Sequence, residues 1–313
     1  MTEHSIFAKK FKNSEGIIML GNTITRAMTK CANARVIAIN SKEMVNDAIR
    51  YHNLSPTAAA ALGRTLTAAS MIGVMLKNKT DSVTVSFNGD GVCGKVLAVS
   101  DYYGNTKGFV QHPQADLPLN TKGKLDVAGA IGKGSLYVIR DVGEREPYVG
   151  MIPIVSGEVA EDITAYFAHS EQIPTVCALG VLIDKNYKCI SAGGYMIQLL
   201  PGADDSFIDK LEKRIEEIPP VSTLFSTGKT NEEYLKDILG DIEFDIFDEA
   251  DVSYHCDCTK KRVEKALISM GEKEIKEIIK EDKDIDVSCQ FCDKIYTFTP
   301  ENMSELLKRA KSK

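Results

Sequence analysis

The sequence predicts an α+β fold: an N-terminal, mostly antiparallel sheet domain with packed helices, an acidic helical linker, and a small C-terminal metal-binding domain. Three observations carry this. Short apolar or alternating runs between residues 36 and 200 are joined by hairpin-length connections, which favour antiparallel pairing. A long Ala- and Gly-rich stretch after Pro56 interrupts them with helical character. Charge and cysteine are unevenly spread: residues 204–254 carry a net charge of −10, and four of the eight cysteines crowd into 255–313, whose net charge is only +1. A strongly acidic segment between near-neutral ends marks boundaries. The expected division is 1–18 as a leader, 19–203 as the core domain, 204–254 as the linker, and 255–313 as the cysteine domain.

At 313 residues the chain exceeds what one hydrophobic core usually serves, so two domains are expected. A net charge of −6 disfavours nucleic acid as the main partner. The most apolar stretch, 58–76, contains Arg64, two glycines and several hydroxyls, and reads as a buried helix rather than a membrane span. Eight cysteines with no secretory signal point to a reducing cytoplasm.

Residues 1–18 show no helix or strand pattern and read as a disordered leader, or as sequence upstream of a start at Met19. A short strand follows at 36–39, then a helix at 41–51 with Met44, Val45, Ala48 and Ile49 on one face. Ser55-Pro56 opens the next helix with a hydroxyl N-cap and proline at the first helical position. Gly63 and Gly73 let another element approach its backbone. Val83, Val85 and Phe87 alternate with Thr84 and Ser86 as a half-buried strand. Asn88-Gly89-Asp90-Gly91 turns the chain into a strand at 95–100. Without a following Lys-Ser/Thr or a helix start, that turn is a hairpin and not a phosphate loop. Further strands are expected at 108–111, 136–141, 148–155, 176–183 and 189–200, with a helix at 158–169. His52, His112 and His169 accompany no nucleophile motif and read as solvated or hydrogen-bonded side chains.

In the linker, Phe207, Ile208, Leu211, Ile215 and Ile218 fall at helical spacing until Pro219-Pro220 stops them. Thr230-Asn231-Glu232-Glu233 is a capping box for a second helix with Tyr234, Leu235, Ile238 and Leu239, closed by Gly240. Such short amphipathic helices do not persist alone in water, so their apolar stripes must lie on the preceding domain. The last domain should hold helices at 259–270 and 273–280, a strand around Ile295, Tyr296 and Phe298, and a closing helix from Thr299-Pro300-Glu301.

Cys256-Asp257-Cys258 and Cys289-Gln290-Phe291-Cys292 are separated by thirty residues. Crowded thiolates repel unless a cation holds them, and zinc binds four such ligands tetrahedrally. Cys256, Cys258, Cys289 and Cys292 are therefore the candidate ligands of one zinc ion. That zinc is either a staple for a domain too small to fold alone or something more, and paired structural disulfides are the weaker alternative. Cys31, Cys93, Cys177 and Cys189 are scattered among small or apolar residues.

The cysteine spacing, together with 56–65, 88–91, Ser170-Glu171-Gln172-Ile173-Pro174 and Ala192-Gly193-Gly194-Tyr195, resembles the redox-regulated 33-kDa heat-shock chaperone family from Met19 to the end. The leader lies outside that pattern. The resemblance implies an ATP-independent holdase and not an enzyme, inactive while reduced and zinc-bound. It implies that oxidants form the disulfides Cys256–Cys258 and Cys289–Cys292, expel zinc, and unfold the cysteine domain and linker. Apolar surface then captures unfolding proteins, and the oxidised form is a homodimer. The sequence names no client-binding residue. Two other classes fit less well. A zinc-ribbon nucleic-acid adaptor wants a basic, aromatic-bearing face. A thiol–disulfide oxidoreductase wants Cys-x-x-Cys at a helix N-terminus after a strand, whereas Cys289 and Cys292 precede a strand.

Overall fold

The structure, a computed structural model, describes residues 21–311; the expected leader and the alternative start at Met19 lie outside the described residues. The chain forms two compact units, one ending at Tyr254 and one beginning at His255.

The first unit begins with β1 (Thr23–Thr29), β2 (Ala34–Asn40), α1 (Lys42–His52) and α2 (Pro56–Gly73). Then come β3 (Ser82–Gly89), β4 (Lys95–Asp101), β5 (Thr106–Val110), α3 (Val127–Ile131), β6 (Gly134–Asp141), β7 (Tyr148–Pro153) and α4 (Val159–Tyr166). A π-helical turn at Phe167–Glu171 prolongs α4 and leads into β8 (Thr175–Ile183) and β9 (Cys189–Leu199). The strands form two antiparallel five-stranded sheets. One has the order β5-β4-β3-β6-β7; the other is β8-β9-β2-β1 with a late strand added beyond β1.

Helix α2 packs on strands of both sheets, and 16 of its 18 residues are buried, so it is the centre of the core and not a surface helix. Its start is as the sequence predicts: Ser55 Oγ accepts from Ala58 N at 3.3 Å, with Pro56 behind it. Its buried hydroxyls are satisfied locally, Thr65 and Thr67 donating to the carbonyls of Ala61 and Gly63 at 2.8 Å. At Gly73 a Cβ would stand 2.2 Å from Ser100 Oγ and 2.5 Å from the Asp101 carbonyl, so glycine is what lets β4 close on the helix end. The 88–91 turn is a hairpin whose polar groups are already used: Asp90 N donates to Lys133 O, and Asp90 Oδ1 accepts from Lys133 N at 2.7 Å. No amide cradle is left there for a phosphate.

The acidic segment supplies α5 (Asp205–Glu217), α6 (Val221–Leu224) and α7 (Asn231–Leu239), with both halves of the Thr230–Glu233 capping box formed. Phe207, Leu211, Tyr234, Leu235 and Ile238 pack on Val36, Ala38, Tyr195 and Ile197, the sheet face opposite α2. The predicted apolar stripes therefore rest on the core domain, which helices of 13 residues or fewer need in order to persist in water. One element of this segment is not helical: β10 (Phe244–Asp251) pairs with β1 as the sheet's edge. Its four acidic residues and a register shift opposite Arg26 and Ala27 hide it from an alternation search. Charge and irregularity are how exposed edges avoid pairing with other chains. The strand at β1, helix α3 and helix α6 were likewise without a sequence signal strong enough to predict.

The second unit holds α8 (Lys260–Met270), α9 (Glu272–Lys280), the hairpin β11 (Ile285–Ser288) and β12 (Ile295–Phe298), and α10 (Pro300–Lys311). Among the described residues its buried core cluster is Leu267, Ile275, Phe298, Met303 and Leu306. So small a core is marginal without a further tie.

Candidate metal centre

The four paired cysteines converge. Cys256 and Cys258 lie on the extended segment before α8, whose N-cap Thr259 accepts from Arg262 N at 3.3 Å. Asp257, between the two, forms an ion pair with Arg262. Cys289 follows β11 directly, and its amide donates to the Lys294 carbonyl at 2.9 Å, closing the turn that carries Cys292. The hairpin thus presents one pair of sulfurs to the other.

All four Sγ atoms lie within 4.8 Å of one another, and all four thiols are free. Cys256 Sγ is 3.7 Å from Cys289 Sγ, and Cys258 Sγ is 3.6 Å from Cys292 Sγ. A tetrahedral ion with metal–sulfur bonds near 2.3 Å would separate its sulfurs by about 3.8 Å. The spacing fits a four-sulfur metal site and is far too long for S–S bonds. Among the described residues this is the group of cysteine, histidine or carboxylate side chains placed to hold an ion.

The electrostatics are those of crowded thiols. Burial, reinforced by neighbouring sulfurs, pushes the Cys256 thiol up; burial likewise pushes Cys292 up to about 11. Cys258 goes the other way: burial opposes its ionisation, but hydrogen bonds from Tyr296 and from the other cysteines hold it below the ordinary thiol value. Four thiolates this close are stable only around a cation.

Sequence reasoning missed the supporting residue. Tyr296, on β12, places its hydroxyl 3.1 Å from Cys258 Sγ, and Phe291 N reaches Cys289 Sγ at 3.5 Å. The signal was the strand's alternation, which puts Tyr296 on the same face as buried Phe298. The other cysteines stand apart: Cys31 is exposed, and Cys93, Cys177 and Cys189 are buried singly in the first unit. Of the histidines, His52 is hydrogen-bonded, its Nε2 lying 3.1 Å from Tyr254 Oη.

An α+β chain with a four-thiol metal centre in a small separate unit is the class this geometry defines. The family described as Hsp33 protein matches residues 22–299. The chain is 45% identical over 292 residues to the 33 kDa chaperonin of Clostridium acetobutylicum, covering 93% of this chain and 98% of that protein. It is 46% identical over 290 residues to the 33 kDa chaperonin of Clostridium perfringens strain SM101, covering 92% of each. The crystal structure of the 33 kDa chaperonin (heat shock protein 33 homolog) from Thermotoga maritima superposes with a TM-score of 0.86 at 34% identity, covering 94% of this chain and all of that one. The chain belongs to the Hsp33 family: it is a chaperone and not an enzyme. No helix among the described residues is long and apolar enough to cross a membrane.

Proposed function

We propose that the chain is a redox-regulated, ATP-independent holdase whose reduced form binds one zinc ion through Cys256, Cys258, Cys289 and Cys292. Its main support is the meeting of four free sulfurs within 4.8 Å in a unit with five buried core side chains among the described residues. An all-thiolate tetrahedral set suits zinc. When bound, zinc holds the thiols deprotonated and supplies folding free energy, about 10–16 kcal/mol in small zinc domains.

The same cysteines are the sensor, because thiolates are the oxidisable form. Cys256 with Cys258, and Cys289 with Cys292, each lose two electrons. One hypochlorous acid per pair of thiolates accepts them, giving one S–S bond, chloride and hydroxide. Disulfide sulfurs no longer ligate, so oxidation removes the small unit's main tie. The acidic segment then self-repels through its net charge of −10 and releases its hold on the sheet. That uncovers the stripes of α5 and α7 and the face bearing Val36, Tyr195 and Ile197, apolar surface that binds unfolding polypeptide without regard to sequence. The oxidised form works as a homodimer, in a cytoplasm that keeps the thiols reduced between stresses; neither nucleic acid nor membrane is a partner.

The test follows zinc release and aggregation of a heat-unfolding client together, before and after hypochlorous acid, with peptide mapping of the disulfides. Zinc loss and client protection should rise in step and reverse with dithiol, with Cys256–Cys258 and Cys289–Cys292 as the mapped bonds. Zinc that stays, or leaves without any gain of protection, would reduce the metal to a structural staple.

A further inference from the structure

Strand β10 leaves the edge of its sheet at Asp251, and three residues, Val252-Ser253-Tyr254, carry the chain to His255, where the second unit begins. These three residues cross from one sheet of the first unit to the other. Val252 N donates to the Asn22 carbonyl, just ahead of β1, at 3.0 Å. Ser253 O then accepts from Thr106 N at 2.9 Å, and Tyr254 forms a parallel bridge with Thr106, the first residue of edge strand β5.

The side chains repeat this attachment. Asn105 Oδ1 accepts from Ser253 N at 3.1 Å and from Ser253 Oγ at 2.9 Å. Tyr254 Oη donates to the Gly108 carbonyl at 2.8 Å and accepts from Gly108 N at 3.2 Å, while its ring lies 5.2 Å from that of Tyr51. Val252 and Tyr254 are both buried, and both belong to the core cluster around α2. Strand β10 itself is the contrast. Seven of its eight residues are exposed. Its ion pair, Asp248 with Arg26, is about two-fifths exposed on each side, where such pairs contribute little. The buried attachment of this end of the acidic segment therefore comes after the strand, at Val252 and Tyr254.

We propose that Val252-Ser253-Tyr254 is a latch that confines loss of order in the second unit to residues from His255 onward. Unravelling that starts at the cysteines meets Tyr254 two residues before Cys256. The ring and hydroxyl of Tyr254 must leave the core, and both polar groups of Gly108 must lose their partner, before β10 can peel from β1. Buried polar groups stripped of a partner make such an opening unfavourable. The latch thus sets how far a change at the metal centre spreads into the first unit, whose local openings follow cooperative segments of this kind. Its consequence for release of the acidic segment after oxidation rests on the proposed function; the confinement itself does not.

Hydrogen exchange followed by mass spectrometry on the full-length reduced chain, with and without a zinc chelator, tests the latch. Chelation should raise exchange across 255–311 and leave 244–254 at its zinc-loaded rate. Tyr254→Phe keeps the ring and deletes the hydroxyl. In the chelated chain it should speed exchange in 244–254 about tenfold, the loss expected of one buried hydrogen bond, and leave the amides of α2 unchanged. Asn105→Ala, which removes the acceptor for Ser253, should act in the same direction. Circular dichroism checks that each variant folds; if Tyr254→Phe does not, Asn105→Ala decides alone. The latch is overturned if 244–254 of the unaltered chain exchanges as fast as 255–311 once zinc is removed, or if neither variant changes its exchange. Retained protection of 255–311 without zinc would instead count against the metal's proposed role, and the comparison of variants would still decide the latch.

Discussion

Tyr296 Oη lies 3.1 Å from Cys258 Sγ and 3.0 Å from the carbonyl oxygen of the same residue, so its single proton is shared between the sulfur and the backbone that carries it. A supporting group of this kind orients a metal ligand, and its loss costs about 10–100-fold in metal affinity. Tyr296→Phe should therefore keep the hairpin's packing and lower zinc affinity by about that factor. A chelator competition on the reduced chain measures it. An unchanged affinity would leave Tyr296 a packing residue only.

The eight thiols should separate by reactivity. Burial, reinforced by Asp116, pushes Cys93 up to about 11; burial alone pushes Cys177 up to about 12, and burial against a hydrogen bond at Ser191 pushes Cys189 up to about 12. At neutral pH they hold about a hundredfold to a thousandfold less thiolate than an ordinary cysteine, on top of their shielding. Exposed Cys31 is the opposite case: slight burial opposes ionisation, but hydrogen bonding at Thr29 and Asn33 draws its value below the usual one. Brief alkylation of the reduced, zinc-loaded chain should label Cys31 and spare those three. Mass-spectrometric mapping would show equal labelling if the first unit opens readily.

What the sequence made legible follows from how local each signal is. Ser55-Pro56, the Thr230–Glu233 box and the paired cysteines each act within a few residues, and each is found where local chemistry places it. Strand β10 was illegible because an exposed edge has no buried face to impose alternation, and Asp245, Asp248, Glu249 and Asp251 read as loop. Tyr296 was read as a strand former, since nothing in a tyrosine announces which sulfur it will meet. A cavity at the end of α2 was beyond reach altogether: Arg35, Asp81, Arg140 and Glu171 line it only because the two sheets pack around that helix.

Gly193 shows how the acidic segment is held. A Cβ there would lie 2.4 Å from Phe225 Cδ1 and 2.6 Å from the Ile39 carbonyl, so the bare backbone of β9 is the seat of the Phe225 ring. Phe225 in turn stacks on Tyr234 with centroids 4.3 Å apart, which links the seat to α7. Gly193→Val should displace Phe225 at a cost of about 1–3 kcal/mol, in the range of other overpacked sites. The expected result is faster proteolysis within 221–239 and, on the proposed function, some client protection without oxidant. Unaltered proteolysis would mean that the segment is held chiefly by α5.

His52 should make the first unit sensitive to mild acid. Its Nε2 is 3.1 Å from Tyr254 Oη, and that hydroxyl donates to the Gly108 carbonyl at 2.8 Å while accepting from Gly108 N at 3.2 Å. Tyr254 Oη thus has its proton committed, which leaves it to accept from a neutral imidazole bearing hydrogen on Nε2. Burial, only partly offset by a hydrogen bond at Gly108, holds the His52 value below 6.5. As pH falls through 6.5 the unfolded chain takes up this proton before the folded one does. Stability present above 6.5 is then lost down to the folded value, with a slope of at most about 1.4 kcal/mol per pH unit from this one group. Denaturant midpoints followed by circular dichroism from pH 7.5 to 5 should show that decline, and His52→Gln should flatten it. A decline of the same slope in both proteins would assign the acid sensitivity to other groups.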